Sequence, residues 1–201
     1  ERLDAHRLIE EFMVLANVAA AMCLEKRKAP CVYRAHDKPS SEKIDSASKF
    51  LETFNLSLPK GQSVQPKQLN HLLSKAKTLP YSHLISTVIL RCQSQAVYSG
   101  DNVGHFGLAL TKYAHFTSPI RRYADLLVHR SLIKAYDLGS GGLDQGEEAR
   151  LEEICQHIST TERTSMVAER TATDRFVAAY LSDKIGVQFE GRITGVTRFG
   201  L

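Results

Sequence analysis

The 201-residue sequence contains no tryptophan, six prolines and only four cysteines. Cys23, Cys31, Cys92 and Cys155 lie far apart with no C-x-x-C pair, which excludes a zinc knuckle and argues against a disulfide framework. Long hydrophobic runs are missing too. The stretch from Leu15 to Leu24 is broken by Asn17 and falls well short of the about 20 apolar residues a membrane-spanning helix needs. No secretory signal opens the chain, so a cytoplasmic protein with no membrane association is expected. There is no Gly-rich phosphate loop and no Ser-nucleophile motif. His36, His105, His115 and His129 lack metal-ligand spacing and read as structural histidines. Asp4, Asp37 and Asp45 are isolated, so no metal site is expected within these residues.

What is present suffices for one full domain with a real core, since 43% of the residues are apolar. Lys and Arg number 26 against 22 Asp and Glu, a net charge of +4. That excess suits an anionic partner without demanding one. The chain opens without Met on Glu1 and stops at Phe199-Gly200-Leu201, inside what reads as a strand and turn. It reads as a segment of something longer.

The pattern predicts an α+β fold, rich in helices. A helix is expected from Asp4, acting as its cap, to about Arg27, with Leu8, Phe12, Leu15, Val18, Ala19 and Met22 as a heavily buried face. Pro30 ends it. Residues 31–36 read as a short strand, and Ser40 or Ser41 starts a helix carrying Ile44, Ala47, Phe50, Leu51 and Phe54. Two further helices fit Pro66 to Lys77 and Ser82 to Ser94. His105 to Phe116 reads as a strand near a bend. A helix is expected from Ser118, and a long one from about Glu147 to Lys184. Beyond Gly186 the pattern turns to β, with Val187 to Ile193 as the first strand of a barrel.

Thr117-Ser118-Pro119-Ile120-Arg121-Arg122-Tyr123 is the strongest local feature. Ser118 is a good N-cap and Pro119 suits the first helical position. Arg121 and Arg122 would then sit in the first turn, where free N–H groups and the dipole already attract anions. Two arginines there describe a phosphate site with bidentate geometry. The alternative is that Arg121 pairs with Asp125 one turn later and Arg122 is merely solvated. Glu10 and Asn17, seven residues apart, share one side of an otherwise apolar helix. They are satisfied by neighbouring protein or line a cavity that receives ribose hydroxyls. Glu169 could hold an arginine, orient a ribose or assist proton transfer, or it is a solvated surface carboxylate.

Taken together, residues Ile9 to Asn17, Tyr33 to Ser40, Gly104 to Leu110, Tyr113 to Tyr123 and Val167 to Arg170 resemble the ribonuclease R branch of the ribonuclease II family. Phe189-Glu190-Gly191 and Val196 to Gly200 are similar to the entry into that family's OB-fold RNA-binding domain. The resemblance covers essentially the whole chain. It implies a partial catalytic domain over residues 1–185 and the beginning of an OB-fold over 186–201. It also implies hydrolytic, processive 3′-to-5′ degradation of RNA by a monomer acting on a single-stranded 3′ end, with release of nucleoside 5′-monophosphates.

On the same resemblance, Arg121 contacts the phosphate at the scissile end and Glu169 supports catalysis near the terminal nucleotide. Glu10 serves ribose recognition, although Glu11 is the alternative for that place. Arg122, Ser118 and Tyr123 complete the RNA-binding set. The family's Mg²⁺ ions are held by closely spaced aspartates upstream of the first helix, and that cluster is missing here. These residues alone are therefore expected to be inactive within an active parent. The rival reading is a non-catalytic RNA-binding or scaffold paralogue.

Overall fold

The computed structural model describes residues 3–58 and 64–191. Helix α1 spans Asp4–Lys26, uninterrupted by Gly or Pro. Its cap is Leu3 rather than Asp4, and the Leu3 N–H donates to Nδ1 of His6 at 3.2 Å. Strand β1 (Tyr33–Ala35) pairs antiparallel with β2 (Val97–Ser99), with Arg34 opposite Tyr98. Between them run α2 (Ser41–Glu52), α3 (Pro66–Ala76) and α4 (Ser82–Cys92). Helix α5 (Tyr123–Tyr136), a short α6 (Gln145–Ala149) and α7 (Leu151–Ser182) follow. The expected long helix is thus broken at Arg150, whose φ of −105° and ψ of 14° leave the helical range.

Two apolar clusters hold the first part of the chain together. One gathers Ala20, Ala21 and Leu24 of α1, Val32 and Tyr33, Ala124, Leu127 and Val128 of α5, and Cys155 of α7. The other is built by α2, α3 and α4 around Ile44, Leu51, Leu69, Leu72, Ile85 and Ile89. Leu24, Leu51, Ile85 and Leu127 are fully buried, each contributing about 1.5–3 kcal/mol relative to an exposed side chain. The chain divides into two compact units, residues 1–159 and 160–201. Ser159, the last residue of the first, accepts from the Tyr98 N–H at 2.9 Å and donates to the Cys155 carbonyl at 2.7 Å.

The expected apolar face of α1 is not the buried one. Leu8, Phe12, Leu15 and Met22 are exposed, and Asn17, Ala20, Ala21 and Leu24 are the residues that face the core. The small alanines let α1 lie close to α5, an approach the larger side chains would block. Residues 105–116 are not a strand either. Phe106–Leu108 is a 3-10 turn, and the strand lies earlier, at β2. Gly107 explains the turn: a Cβ there would stand 2.8 Å from Nδ1 of His36, and its own N–H donates to that nitrogen at 3.0 Å. Of the barrel strand expected at 187–193, residues 187–191 carry no strand and the remainder lies outside the described residues.

Candidate functional site

The segment from Tyr113 to Arg122 is irregular, so its backbone groups must find partners outside a helix or sheet ladder. α1 and α5 supply them. On the α1 side, Asn17 is buried, and its Oδ1 accepts from the Phe116 N–H at 2.9 Å while its Nδ2 donates to the Tyr113 hydroxyl at 3.0 Å. From α5, His129 Nε2 meets the Phe116 carbonyl at 2.8 Å, and its ring stacks on that of Phe116 with centroids 4.2 Å apart. Tyr113 is further fixed by its carbonyl, which accepts from the Arg34 N–H of β1 at 2.9 Å.

The helix expected to begin at Ser118 begins at Tyr123, with Arg122 as its cap residue. Residues 118–122 form a tight turn in which the Ser118 carbonyl accepts from the N–H groups of Arg121 and Arg122 at 3.3 and 3.1 Å. The wholly buried carboxylate of Asp125 organises it. That carboxylate accepts from the Ser118 N–H at 2.8 Å, and from Nε and Nη2 of Arg122 at 2.8 and 2.7 Å. As the third residue of α5, Asp125 also places negative charge at the helix N-terminus, where the dipole favours it. The alternative pairing of Arg121 with Asp125 is therefore overturned: Arg122 forms that pair, and it is not merely solvated.

Arg121 is left exposed, and among the described residues its side chain has no hydrogen-bond or ion-pair partner. Ile120 before it is fully exposed and Tyr123 after it half-exposed. The turn and the helix start that follows it thus present an exposed guanidinium and, two residues on, an accessible phenol ring. Ser118, Arg121, Arg122 and Tyr123 are brought together, as the linear motif requires. Glu10 is half-buried on α1, on the side of Asn17 and about 10 Å nearer the helix start at 1.5 Å per residue. Of the two readings of Asn17, satisfaction by neighbouring protein is the one observed. Glu169 belongs to the second unit, where it is exposed on α7 and its carbonyl accepts from the Thr173 hydroxyl at 3.0 Å.

Beneath the turn runs a line of rings that sequence reasoning did not assemble. Tyr98 meets His115, His115 meets Tyr113, Tyr113 meets His105 and His105 meets His36, all edge to face with centroids 4.9–5.7 Å apart. The Tyr98 hydroxyl is hydrogen-bonded to Nδ1 of His115 at 3.0 Å, and the Arg34 guanidinium lies 4.6 Å over the Tyr98 ring. Burial first, then the nearby Arg122 and Arg34 charges, push His115 down to about 4. His105 is pushed down to about 4 by burial, His36 and Arg34. Both imidazoles are neutral near pH 7 and leave the cationic character of the region to its arginines. His105 and His115 lie inside the segments 104–110 and 113–123 singled out in the sequence, but only the fold shows that both rings meet Tyr113.

Among the described residues no group of three or more His, Cys, Asp and Glu side chains is arranged to hold a metal ion. The described residues offer no carboxylate cluster that would fit Mg²⁺. No described helix is long and apolar enough to cross a membrane. The RNB domain model matches residues 1–137, which carry α1, the clamped turn and α5. The chain belongs to the RNB-domain family. Ribonuclease R of Escherichia coli K12 is 42% identical to this RNB-domain chain over 209 residues, covering all of the chain and 26% of the relative. Ribonuclease R of Mycoplasma genitalium, solved in complex with ribose methylated single-stranded RNA, is similar at 33% identity and a TM-score of 0.85. That match covers 96% of this chain and 31% of the solved one. Yeast Ssd1, described as a pseudonuclease, is similar at 25% identity and a TM-score of 0.63, over 77% of this chain and 20% of its own. This RNB-domain chain thus spans about a quarter of the length of its E. coli relative.

Proposed function

We propose that this chain is part of a hydrolytic, processive 3′-to-5′ exoribonuclease that releases nucleoside 5′-monophosphates, and that Arg121 takes a phosphate near the RNA 3′ end. The observation that carries the reading is the division of labour between adjacent arginines. Arg122 is spent on the buried Asp125, whereas the Arg121 side chain is exposed and has no partner among the described residues, on the turn that this clamp holds. A guanidinium's planar fork matches a phosphate with two parallel hydrogen bonds. Tyr123, half-exposed beside it, offers a ring face to a sugar or base.

In this reading Ser118 and Arg122 shape the turn, and Arg122 adds to the local field. Glu10 orders the terminal ribose, and Glu169 supports the chemical step. Mg²⁺ is held by carboxylates outside these residues, so the 201 residues alone are inactive. The catalytic-domain portion extends to about residue 185 and an OB-fold begins at 186. The partner is a single-stranded RNA 3′ end, met by a cytoplasmic monomer.

The test uses the full-length protein containing this chain, with 3′-labelled single-stranded RNA and Mg²⁺. Immediate release of labelled mononucleotide, slowed about 100-fold by Arg121→Ala, is the expected result; removing one charge-stabilising donor has effects of that order. A second reading, a non-catalytic RNA-binding paralogue, is favoured by the likeness to the pseudonuclease Ssd1. Salt-sensitive RNA binding with no cleavage at all by the full-length protein would establish it and sink the first.

A further inference from the structure

We infer that Asn17 is a positioning residue for Arg121, setting the turn 118–122 in register with α1; the inference rests on the phosphate reading of Arg121. Asn17 ties α1 by two side-chain hydrogen bonds to the segment that leads into the turn. Its amide is used at both ends, Oδ1 by the Phe116 N–H at 2.9 Å and Nδ2 by the Tyr113 hydroxyl at 3.0 Å. Neither tie runs along a helix or strand, so no ladder of neighbouring bonds replaces them.

Phe116 is the anchor of this arrangement. Its N–H is held by Asn17, its carbonyl by His129, and its ring by the same imidazole. Two residues later, the Ser118 N–H is fixed by Asp125. His129 and Asp125 both belong to α5, so alone they define the turn only relative to that helix. Asn17 adds the reference to α1, which also carries Glu10 two turns earlier. Loss of the amide removes the direct tie between this segment and α1, so the backbone leading into the turn can shift locally even though α5 itself stays packed on α1. A shift of about 1 Å is enough to cost on the order of 100-fold in rate when a group must meet a reacting centre.

A residue that merely stabilises the fold and one that positions Arg121 make different predictions, and a double-mutant cycle on the full-length protein separates them. Asn17→Leu keeps the branching and heavy-atom count of the side chain and removes both hydrogen bonds. Asn17→Asp is the conservative variant, because a carboxylate accepts from the Phe116 N–H and from the Tyr113 hydroxyl together. With kcat for 3′-label release as the readout, Asn17→Leu is expected to lose tenfold or more. Asn17→Leu combined with Arg121→Ala is expected to be no slower than Arg121→Ala alone, and Asn17→Asp is expected to restore most of the rate.

Tyr113→Phe, which deletes one hydroxyl and keeps the ring, gives a second route should Asn17→Leu not fold; it too is expected to be non-additive with Arg121→Ala. If Arg121→Ala is slow but the losses at Asn17 and Tyr113 multiply with it, the positioning role is overturned and the phosphate reading survives. If Arg121→Ala has no effect, the phosphate reading falls and the positioning role falls with it.

Discussion

Asp125, wholly buried at the start of α5, grips the guanidinium of Arg122 through both Nε and Nη2, while the neighbouring Arg121 side chain meets no partner among the described residues. Two chemically identical side chains, adjacent in sequence, therefore make very unequal contributions to stability. Arg122→Ala strands a buried carboxylate without its counter-charge and is expected to cost on the order of 3 kcal/mol. Arg121→Ala removes an exposed, unpaired side chain and should stay within about 0.5 kcal/mol. Urea denaturation of the 201-residue chain measures both, and equal losses would contradict the assignment of the pair.

The buried imidazoles make stability depend on pH. His105 and His115 titrate in the fold at about 4, below the ordinary value near 6.5. Their neutral forms are favoured in the native state, so protons bind the unfolded chain more readily. Stability from this source is full above pH 6.5 and is lost as the pH falls from there through 4. Denaturation midpoints measured across that window should decline, and the decline should be shallower in His115→Asn.

Gly107 is packed too tightly for any side chain. Its Cβ position lies 2.8 Å from Nδ1 of His36 and 2.9 Å from Cε1. Gly107→Ala must displace that ring or break the hydrogen bond from its own N–H, with an expected cost of about 1–3 kcal/mol. A thermal midpoint unchanged from wild type would show that the His36 ring yields freely.

The four thiols should divide sharply in reactivity. Burial pushes Cys31 and Cys155 up to about 12 and raises Cys92, and all three are enclosed, whereas Cys23 is exposed. Because the thiolate is the reactive form, a chromogenic disulfide reagent at pH 8 should titrate one group promptly in the native protein and four in guanidinium. Cys23→Ser should abolish the prompt reaction.

The elements readable from sequence were those with local punctuation. Ser40 accepts from the Lys43 N–H as the cap of α2, and Pro66 opens α3. Strand β1, α3 and α4 fall within two residues of their expected bounds. Reading failed where partners distant in the chain decide. Periodicity on α1 shows which residues share a face, but the face that meets the core is chosen by how closely Ala20 and Ala21 let α5 approach. Ser118-Pro119 carries the local signature of a helix start, yet Asp125 takes the Ser118 N–H and α5 begins five residues later. The linear motif brings Ser118, Arg121, Arg122 and Tyr123 near one another simply by their closeness in the chain. Which arginine is free was settled by the reach of one carboxylate, and no spacing rule encodes that.

The outward stripe of Leu8, Phe12, Leu15 and Met22 on α1 also has a practical side, in how these 201 residues behave in a tube. Water ordered against such a stripe is released when any greasy surface meets it. The isolated chain should brighten an apolar fluorescent dye while still folded, and it should cloud at millimolar concentration. Replacing Leu8 and Phe12 with glutamate should clear the solution and leave the interior undisturbed.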